Sequence, residues 1–497
     1  MQERSSGAEL AAILRRGLDR YSPGEKLPSS RALVERHRVS PVTVSRALAQ
    51  LAAEGLVVTR PGAGAFRAEP RGEAPRTVDT SWQEIALSAE PAGDQVPRSV
   101  DATGVLATLA TPAPGVIEFD GGYLHADLQP ERALAAALAR AGRRPGAWGR
   151  PPVGGVPELR AWFAREIAGS GGPLGANDVL VTGGGQSALT AALRALAAPG
   201  APVLVESPTY PGVLAVARAS GLRPVPVPID ADGVRTDLLA DAFRASGARL
   251  FVCQPLFQNP TGAVLAAGRR REVLRVVRAA GAFVIEDDFA RLLVHGDAPA
   301  PPPTLMADDQ DGTVVHVRSL TKASSPNLRV GALAARGPVL DRLRAIQVVD
   351  SFFVPRPLQE AALELVGSPA WPRHLRRIAG ELTTRRDALT AALHRQLPAF
   401  TRHRPAPGHD PAPGGPHVPW GGFHLWLRLP DGTDEAALTG AALRAGVAVA
   451  AGRPYFAAEP PAAYVRLSFA AASGTGEIAE GVRRLRTACT ELGMEVS

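Results

Sequence analysis

SLTKASSPNLRVG, residues 319–331, is the stretch around which the rest of the chain is organised. Of 55 basic side chains in 497 residues only two are lysine, Lys26 and Lys322; the other 53 are arginine. Alanine, glycine and proline are also heavily used, as GC-rich coding would produce. In such a chain a lysine marks a place where arginine does not serve. Arginine cannot lose its proton in a protein, whereas lysine can act as a nucleophilic amine. Chance survival explains Lys26 equally well. It is a poor explanation of Lys322, which has Ser319 three residues before it and Arg329 seven after. A serine hydroxyl and a bidentate guanidinium are suited to an anion such as a phosphate.

Outward from this stretch, helical and strand patterns alternate. DVLVT (178–182), PVLVES (202–207), RLFVCQ (249–254), AFVIED (282–287) and TVVHV (313–317) read as short buried strands. Segments 187–198 and 267–280 between them read as helices. Such alternation predicts an α/β fold with a mainly parallel sheet. From about 366 a second set follows: a helix over 374–394, strand GGFHLWLRL (421–429), a helix over 434–445 and VRLSFA (465–470). The Pro/Gly-rich insertion 404–419, with His403, His409 and His417 in or beside it, reads as a surface loop and not as a metal site.

Four further motifs share this region. VTGGGQSALTAAL (181–193) sets glycines between a strand and a helix, where the N–H groups of Gly184, Gly185 and Gln186 would meet an anion. ESPTYPG (206–212) puts Tyr210 just past a strand, and QNPTG (258–262) puts Asn259 in a turn. VIEDDFA (284–290) ends a strand on Glu286, Asp287 and Asp288. A buried carboxylate there could face a pyridine nitrogen, and helix capping is the other role open to either aspartate.

In this order the motifs resemble fold-type I pyridoxal-phosphate enzymes of the aminotransferase class I/II group, over residues 113–490. The resemblance implies pyridoxal 5'-phosphate held by Lys322 as a Schiff base, with Asp287 at the pyridine nitrogen. It implies Asn259 near the ring oxygen, Tyr210 as the stacking ring, and Gly184, Gly185, Gln186, Ser319 and Arg329 around the phosphate. Arg466, in YVRLSFA, matches the arginine that holds a substrate α-carboxylate. Two positions depart from the family. Phe289 stands where a tyrosine is usual, which removes a hydroxyl donor to the ring oxygen and is expected to weaken catalysis. Trp148 replaces a tyrosine that reaches the partner subunit's phosphate in the family. Tyr123 and Phe352–Phe353 are further candidates for lining the pocket.

The first 69 residues are a different unit. Residues 1–72 hold 12 basic against 7 acidic side chains, an excess of five out of the chain's +7. Leu10, Ile13, Leu14 and Leu18 give residues 8–20 a helical period. A second helix runs from Ser29 or Ser30 through Arg38, and Ser40-Pro41 opens a third, with serine as cap and proline at the first helical position. LVVTR and AFRAE then flank a Pro-Gly-Ala-Gly turn. This is the layout of a winged helix-turn-helix, and residues 25–67 resemble the DNA-binding domain of the GntR family. Arg31, Ser40, Thr43 and Arg46 on the helices, and Arg60, Gly62 and Gly64 on the wing, are the candidate contacts to double-stranded DNA. Pro41 stands where this family often has arginine.

Residues 70–112 lack a sustained period and read as a tether, with a short helix around Trp82–Leu87. No stretch is long and apolar enough for a membrane helix and no secretory leader is evident, so a cytoplasmic location is expected. Cys253 and Cys489 suggest buried packing. A GntR reader fused to an aminotransferase-like domain resembles the MocR subfamily. The resemblance implies a regulator that senses pyridoxal phosphate or a small amino compound, as a head-to-tail homodimer. The alternative is an aminotransferase with an attached DNA-binding domain.

Overall fold

The structure, a computed structural model, describes residues 2–60, 63–68, 83, 100–111, 113–169, 172, 174–401 and 418–494. Gly62, the expected helix at Trp82–Leu87 apart from Gln83, and the three histidines of the 404–419 region lie outside these residues. The chain divides into two compact units, Met1–Glu90 and Pro91–Ser497.

In the first unit α1 (Gln2–Gly17) precedes α2 (Ser30–His37) and α3 (Pro41–Ala53), followed by the hairpin of β1 (Val57–Arg60) and β2 (Gly64–Arg67). The expected first helix at residue 8 thus begins six residues earlier. Ser29 accepts from Ala32 N at 3.2 Å and Ser40 from Thr43 N at 3.1 Å, so each serine satisfies an orphan amide at its helix start. Val44, Ala47, Leu48 and Leu51 lie on one face of α3 and are buried against Leu10, Leu18 and Leu33. Each large aliphatic contributes about 1.5–3 kcal/mol. An Arg15–Glu54 ion pair also ties α1 to the end of α3. Leu27 N donates to Ala65 O and Arg67 N to Glu25 O, both at 2.8 Å, so Glu25–Leu27 adds a third edge to the wing. That pairing has no strand-like period in the sequence.

The second unit is built on an eight-stranded sheet. Its strands are β4 (Val179–Thr182), β5 (Pro202–Ser207), β6 (Arg223–Asp230), β7 (Gly233–Val234), β8 (Leu250–Cys253), β9 (Phe283–Asp288), β10 (Val314–Ser319) and β11 (Gly331–Ala334), in the order β4-β11-β10-β9-β8-β5-β6-β7. Pairs β10/β9, β9/β8, β8/β5 and β5/β6 are parallel, while β11 runs antiparallel to both its neighbours. Helices Gly185–Leu196 and Ala267–Ala279 lie within two residues of their expected limits.

Strand β6 was not legible in the sequence because its Pro224, Pro226 and Pro228 argue against a strand. It is an outer strand: these prolines pair in register with Val203, Val205 and Ser207 of β5 on one side, and only its last two residues pair with β7 on the other. Proline at every second position leaves that edge without donors, which protects it from further pairing.

A smaller layer follows the long helix Ala370–Gln396. It contains β12 (His424–Arg428), β14 (Ala450–Ala451) and β15 (Tyr464–Ser468), while β13 (Val447–Ala448) pairs with β3 (Ile117–Glu118). Cys253 and Cys489 are buried and unpaired. Among the described residues no helix is long and apolar enough to cross a membrane.

Leu51 has no exposed surface. Leu51→Ala is expected to cost the first unit about 2–5 kcal/mol. Thermal denaturation should show its transition moving down while the second unit's transition stays in place.

Candidate functional site

Strands β4, β5, β8, β9 and β10 all release the chain at one edge of the sheet, since β4 is antiparallel to β11 and β11 to β10. Carboxyl ends of parallel strands are where such sheets bind ligands. The expected site residues converge there. Gly185, Gln186, Tyr210, Asn259, Asp287, Ser319, Lys322, Arg329 and Arg466 line one cavity of about 360 Å³.

Lys322 Nζ donates to Gly122 O at 2.6 Å and lies 3.9 Å from the centre of the Tyr123 ring. Burial and the guanidiniums of Arg466 and Arg329 push its pKa down to about 7, against the pull of Asp287. The amine is therefore substantially neutral near pH 7, as a nucleophile must be. Asp287 moves the other way: burial, helped by Asp288, raises its pKa to about 7, although Gln254 and Lys322 stabilise the anion.

Gln254, which the sequence did not single out, links Asp287 to the turn that carries Asn259. Its Nε2 donates to Asp287 Oδ2 at 2.6 Å and its Oε1 accepts from Asn259 N at 2.9 Å. Glu206 accepts from Gln254 N at 3.0 Å and Gln258 Nε2 at 3.2 Å, and burial raises its pKa to about 7. Glutamine between two strand ends carries no sequence signal.

The two aspartates and Glu286 separate by strand alternation. Asp287 lines the pocket, whereas Glu286 accepts from Leu305 N at 2.7 Å and Met306 N at 3.1 Å and meets His316 Nδ1 at 2.8 Å. Asp288 pairs with Arg318 at 3.0 Å and with Arg291. Burial opposes its charge, but Arg318, Arg291 and His316 hold its pKa below the ordinary value. Binding the amides at a helix start, the alternative weighed for the aspartates, thus falls to Glu286.

The anion cradle is formed by the start of helix Gly185–Leu196, Ser319 and Arg329. Arg329 donates to Gly183 O at 2.7 Å, and a Cβ on Gly184 (φ +90°) would lie 2.8 Å from its guanidinium. Gly184 therefore abuts the cradle from behind. Thr321 Oγ1 is buried without a hydrogen-bond partner among the described residues, and Thr321 N donates to Ser319 Oγ at 3.2 Å. Tyr210 OH donates to Gln186 Oε1 at 3.2 Å. An amine of low pKa, a carboxyl able to hold a proton, and an anion cradle fit pyridoxal phosphate: aldehyde, pyridine nitrogen and phosphate each have a complementary group.

At the opposite end Arg466 donates to Asp120 O at 2.5 Å, Gly121 O at 3.2 Å and Asn259 Oδ1 at 3.4 Å. Phe289 also lines the pocket, its ring 6.4 Å from that of Phe423 in an edge-to-face contact, with no hydroxyl to offer. Trp148 is 83% exposed and its indole N–H donates to Gly142 O at 3.2 Å, so in this chain that donor is used locally. Tyr123 lines the pocket; Phe352 and Phe353 do not. Val105, Thr108 and Leu109 do, although residues 70–112 read as a tether.

The first unit presents Arg46 on the exposed side of α3, together with Val42, Ser45 and Ala49. Ser40 is exposed at the helix start, and Arg31 is exposed and 3.6 Å from Glu35. Thr43 departs from the expectation: it is 7% exposed and its hydroxyl is 2.9 Å from Ser40 Oγ, so helix geometry turns it inward to serve the cap. Ser45, three residues after Val42, occupies the outer face instead. Arg60 lies over the Phe66 ring at 4.8 Å, and Gly64 has φ +108° beside the Lys26 stem.

Two outcomes are expected. The rate at which apo-protein captures pyridoxal phosphate should rise as pH is raised through about 7, because the depressed pKa leaves Lys322 neutral above that value. Gly184→Ala should weaken capture at least ~10-fold by strain at positive φ and displacement of Arg329. Stopped-flow absorbance of apo-protein mixed with cofactor measures both.

Comparison with known proteins agrees with this geometry. Residues 119–485 match the family model for aminotransferase class I and II, and residues 7–66 match bacterial regulatory proteins of the gntR family. A 2-aminoadipate transaminase of Thermus thermophilus is 32% identical over 378 residues, covering 76% of this chain and 90% of its own. HTH-type transcriptional regulator YdfD of Bacillus subtilis is 25% identical over 474 residues, covering 94% and 92%. The crystal structure of LysN, an α-aminoadipate aminotransferase of Thermus thermophilus complexed with N-(5'-phosphopyridoxyl)-L-leucine, superposes with a TM-score of 0.70 at 30% identity, covering 79% of this chain and 96% of that one. The cofactor that these matches imply is pyridoxal 5'-phosphate. The chain belongs to the aminotransferase class I and II family and carries a gntR-family DNA-binding unit ahead of that domain, the pairing that marks the MocR subfamily.

Proposed function

We propose that this protein is a transcriptional regulator whose aminotransferase-like domain senses pyridoxal phosphate, an amino compound, or both. One observation carries the reading. The same chain joins a helix-turn-helix with Arg46 on its exposed face to a pocket that pairs a low-pKa lysine with an anion cradle. Lys322 is the residue that would bond to the aldehyde. Gly185, Gln186, Ser319 and Arg329 would hold the phosphate, with Gly184 backing Arg329 and with Asp287, Asn259 and Tyr210 around the ring. Arg466 would hold an effector carboxylate. The bound cofactor supplies an electron sink for chemistry at an amino-bearing carbon.

The residues of the chain supply the rest. Lys322 offers a neutral amine near pH 7 and Asp287 can retain or release a proton there. Gln254 fixes the carboxyl by its 2.6 Å hydrogen bond. On the DNA side Arg46 is placed for a base edge, with Arg31, Ser40 and Arg60 available to phosphates. Thr43 acts through the cap and Gly64 through the turn of the wing.

The working form is read as a homodimer, head-to-tail, in the cytoplasm. Trp148, Val349 and Phe352, 83%, 75% and 70% exposed in the single chain, are apolar surface that an association would cover. Effector binding must favour one dimer arrangement over another of different DNA affinity for regulation to follow.

The 32% identity to a transaminase, and the intact set of Lys322, Asp287 and Arg466, favour a second reading as an aminotransferase with an attached DNA-binding unit. Phe289 weighs against efficient turnover.

Footprinting of the protein's own promoter, with and without pyridoxal phosphate, separates the two. The regulator reading expects specific protection that changes with cofactor, and expects Lys322→Ala to lose both the visible cofactor band and that change. Multiple turnover of amino donors with keto acids, in the absence of specific DNA protection, would establish the enzyme instead.

A further inference from the structure

One wall of the Lys322 cavity comes from residues that read as tether. Val105, Thr108 and Leu109 line it. The short helix Thr103–Leu106 starts where Thr103 N donates to Asp101 Oδ1 at 2.9 Å. It sits down on two prolines: a Cβ on Gly104 would come 2.9 Å from Pro454 Cβ and 3.4 Å from Pro211 Cβ. Those prolines adjoin Tyr455 and Tyr210, both of which face the cavity. The segment is thus docked on the two turns that carry pocket tyrosines.

Its chemistry is apolar. Residues 102–111, ATGVLATLAT, contain no charged side chain. Thr108 spends its hydroxyl on Val105 O at 2.8 Å. Leu109 keeps 54% of its surface exposed, so apolar area remains to be covered there. Other groups of the same lining are the reverse. Arg466 Nε and the Tyr455 hydroxyl are buried without hydrogen-bond partners among the described residues, and the Tyr455 ring lies 5.6 Å from the Arg466 guanidinium. A ligand that satisfies both kinds of lining carries a carboxylate and a hydrocarbon group, with its amine toward Lys322.

We infer that the pocket selects an α-amino acid with an aliphatic or aromatic side chain, and that Val105 and Leu109 are the residues that select it. This rests on the reading of the cavity as a pyridoxal-phosphate and effector site. A dicarboxylic amino acid is disfavoured because Val105 and Leu109 offer its second carboxylate no hydrogen-bond partner and lose apolar contact to it.

The test is a titration of the cofactor-loaded, full-length protein with L-leucine, L-phenylalanine, L-glutamate and L-2-aminoadipate, read by the cofactor's visible absorbance and by thermal shift. Leucine and phenylalanine should bind at least ~10-fold more tightly than the two dicarboxylic acids, which corresponds to about 1.4 kcal/mol. Leu109→Arg should bring glutamate to or above leucine, and Val105→Ala should weaken leucine. Leu109 is largely exposed, so its substitution leaves the core intact, and circular dichroism checks this. Equal or tighter binding of the dicarboxylic acids by the unaltered protein overturns the inference. So does a Leu109→Arg variant that changes only the oligomeric state, which would make the exposed leucine an interface residue. A normal cofactor band that responds to none of the four overturns the inference and leaves the cofactor reading standing. A folded protein with no such band would remove the underlying reading as well.

Discussion

The withdrawal of one amine from water is the constraint on which this pocket depends. Lys322 sits in a cavity with two guanidiniums, Arg329 and Arg466, and its charged form is penalised by both burial and repulsion. The same desolvation raises Asp287 and Glu206 toward neutrality. Near pH 7 an amine and two carboxyls thus have nearly balanced proton affinities, a condition that water-exposed lysine and acids never meet. Such a balance suits a site proposed to accept an aldehyde and to hold or release protons.

Keeping such groups in place takes a stiff frame, which the sheet supplies. Parallel strands converge on one edge, so motifs far apart in the chain meet within one cavity. Alternation along β9 sends Asp287 to the cavity while Glu286 and Asp288 go to their own partners. Glu286 takes the amides of Leu305 and Met306, and Asp288 takes Arg318 and Arg291. These neighbours give the flanking acids fixed hydrogen-bond and ion-pair partners. For Asp288, burial alone would otherwise push the pKa up as it does that of Asp287.

The DNA-binding unit obeys a simpler economy. Its serine caps, its single apolar stripe on α3 and its arginines on the outer face are each local features, and each takes its expected place. The exception, Thr43, shows how helix phase overrides side-chain type. A hydroxyl two residues into α3 suits DNA chemically, but the same turn that exposes Val42 and Arg46 carries Thr43 under the cap.

Much of the candidate site was legible because its chemistry demands particular residue types. An isolated lysine, a glycine turn before a helix, an aspartate at a strand end and an arginine in VRLSFA stand out from an arginine-rich chain. What supports them did not stand out. Gln254 acts through two hydrogen bonds that no period encodes. Strand β6 is written in prolines that forbid an inner strand and suit an edge. The wall of Val105, Thr108 and Leu109 lay in a segment with no repeating pattern, because its docking depends on Pro211 and Pro454 brought from far along the chain. Residue type and local period therefore determined the two-unit organisation and singled out Lys322, while the resemblance carried by the motifs implied the cofactor class. Tertiary structure alone decided which partners hold Glu286 and Asp288, which amide orients Asp287 and which upstream segment lines the pocket, since these depend on distances between strands and turns that sequence spacing does not contain.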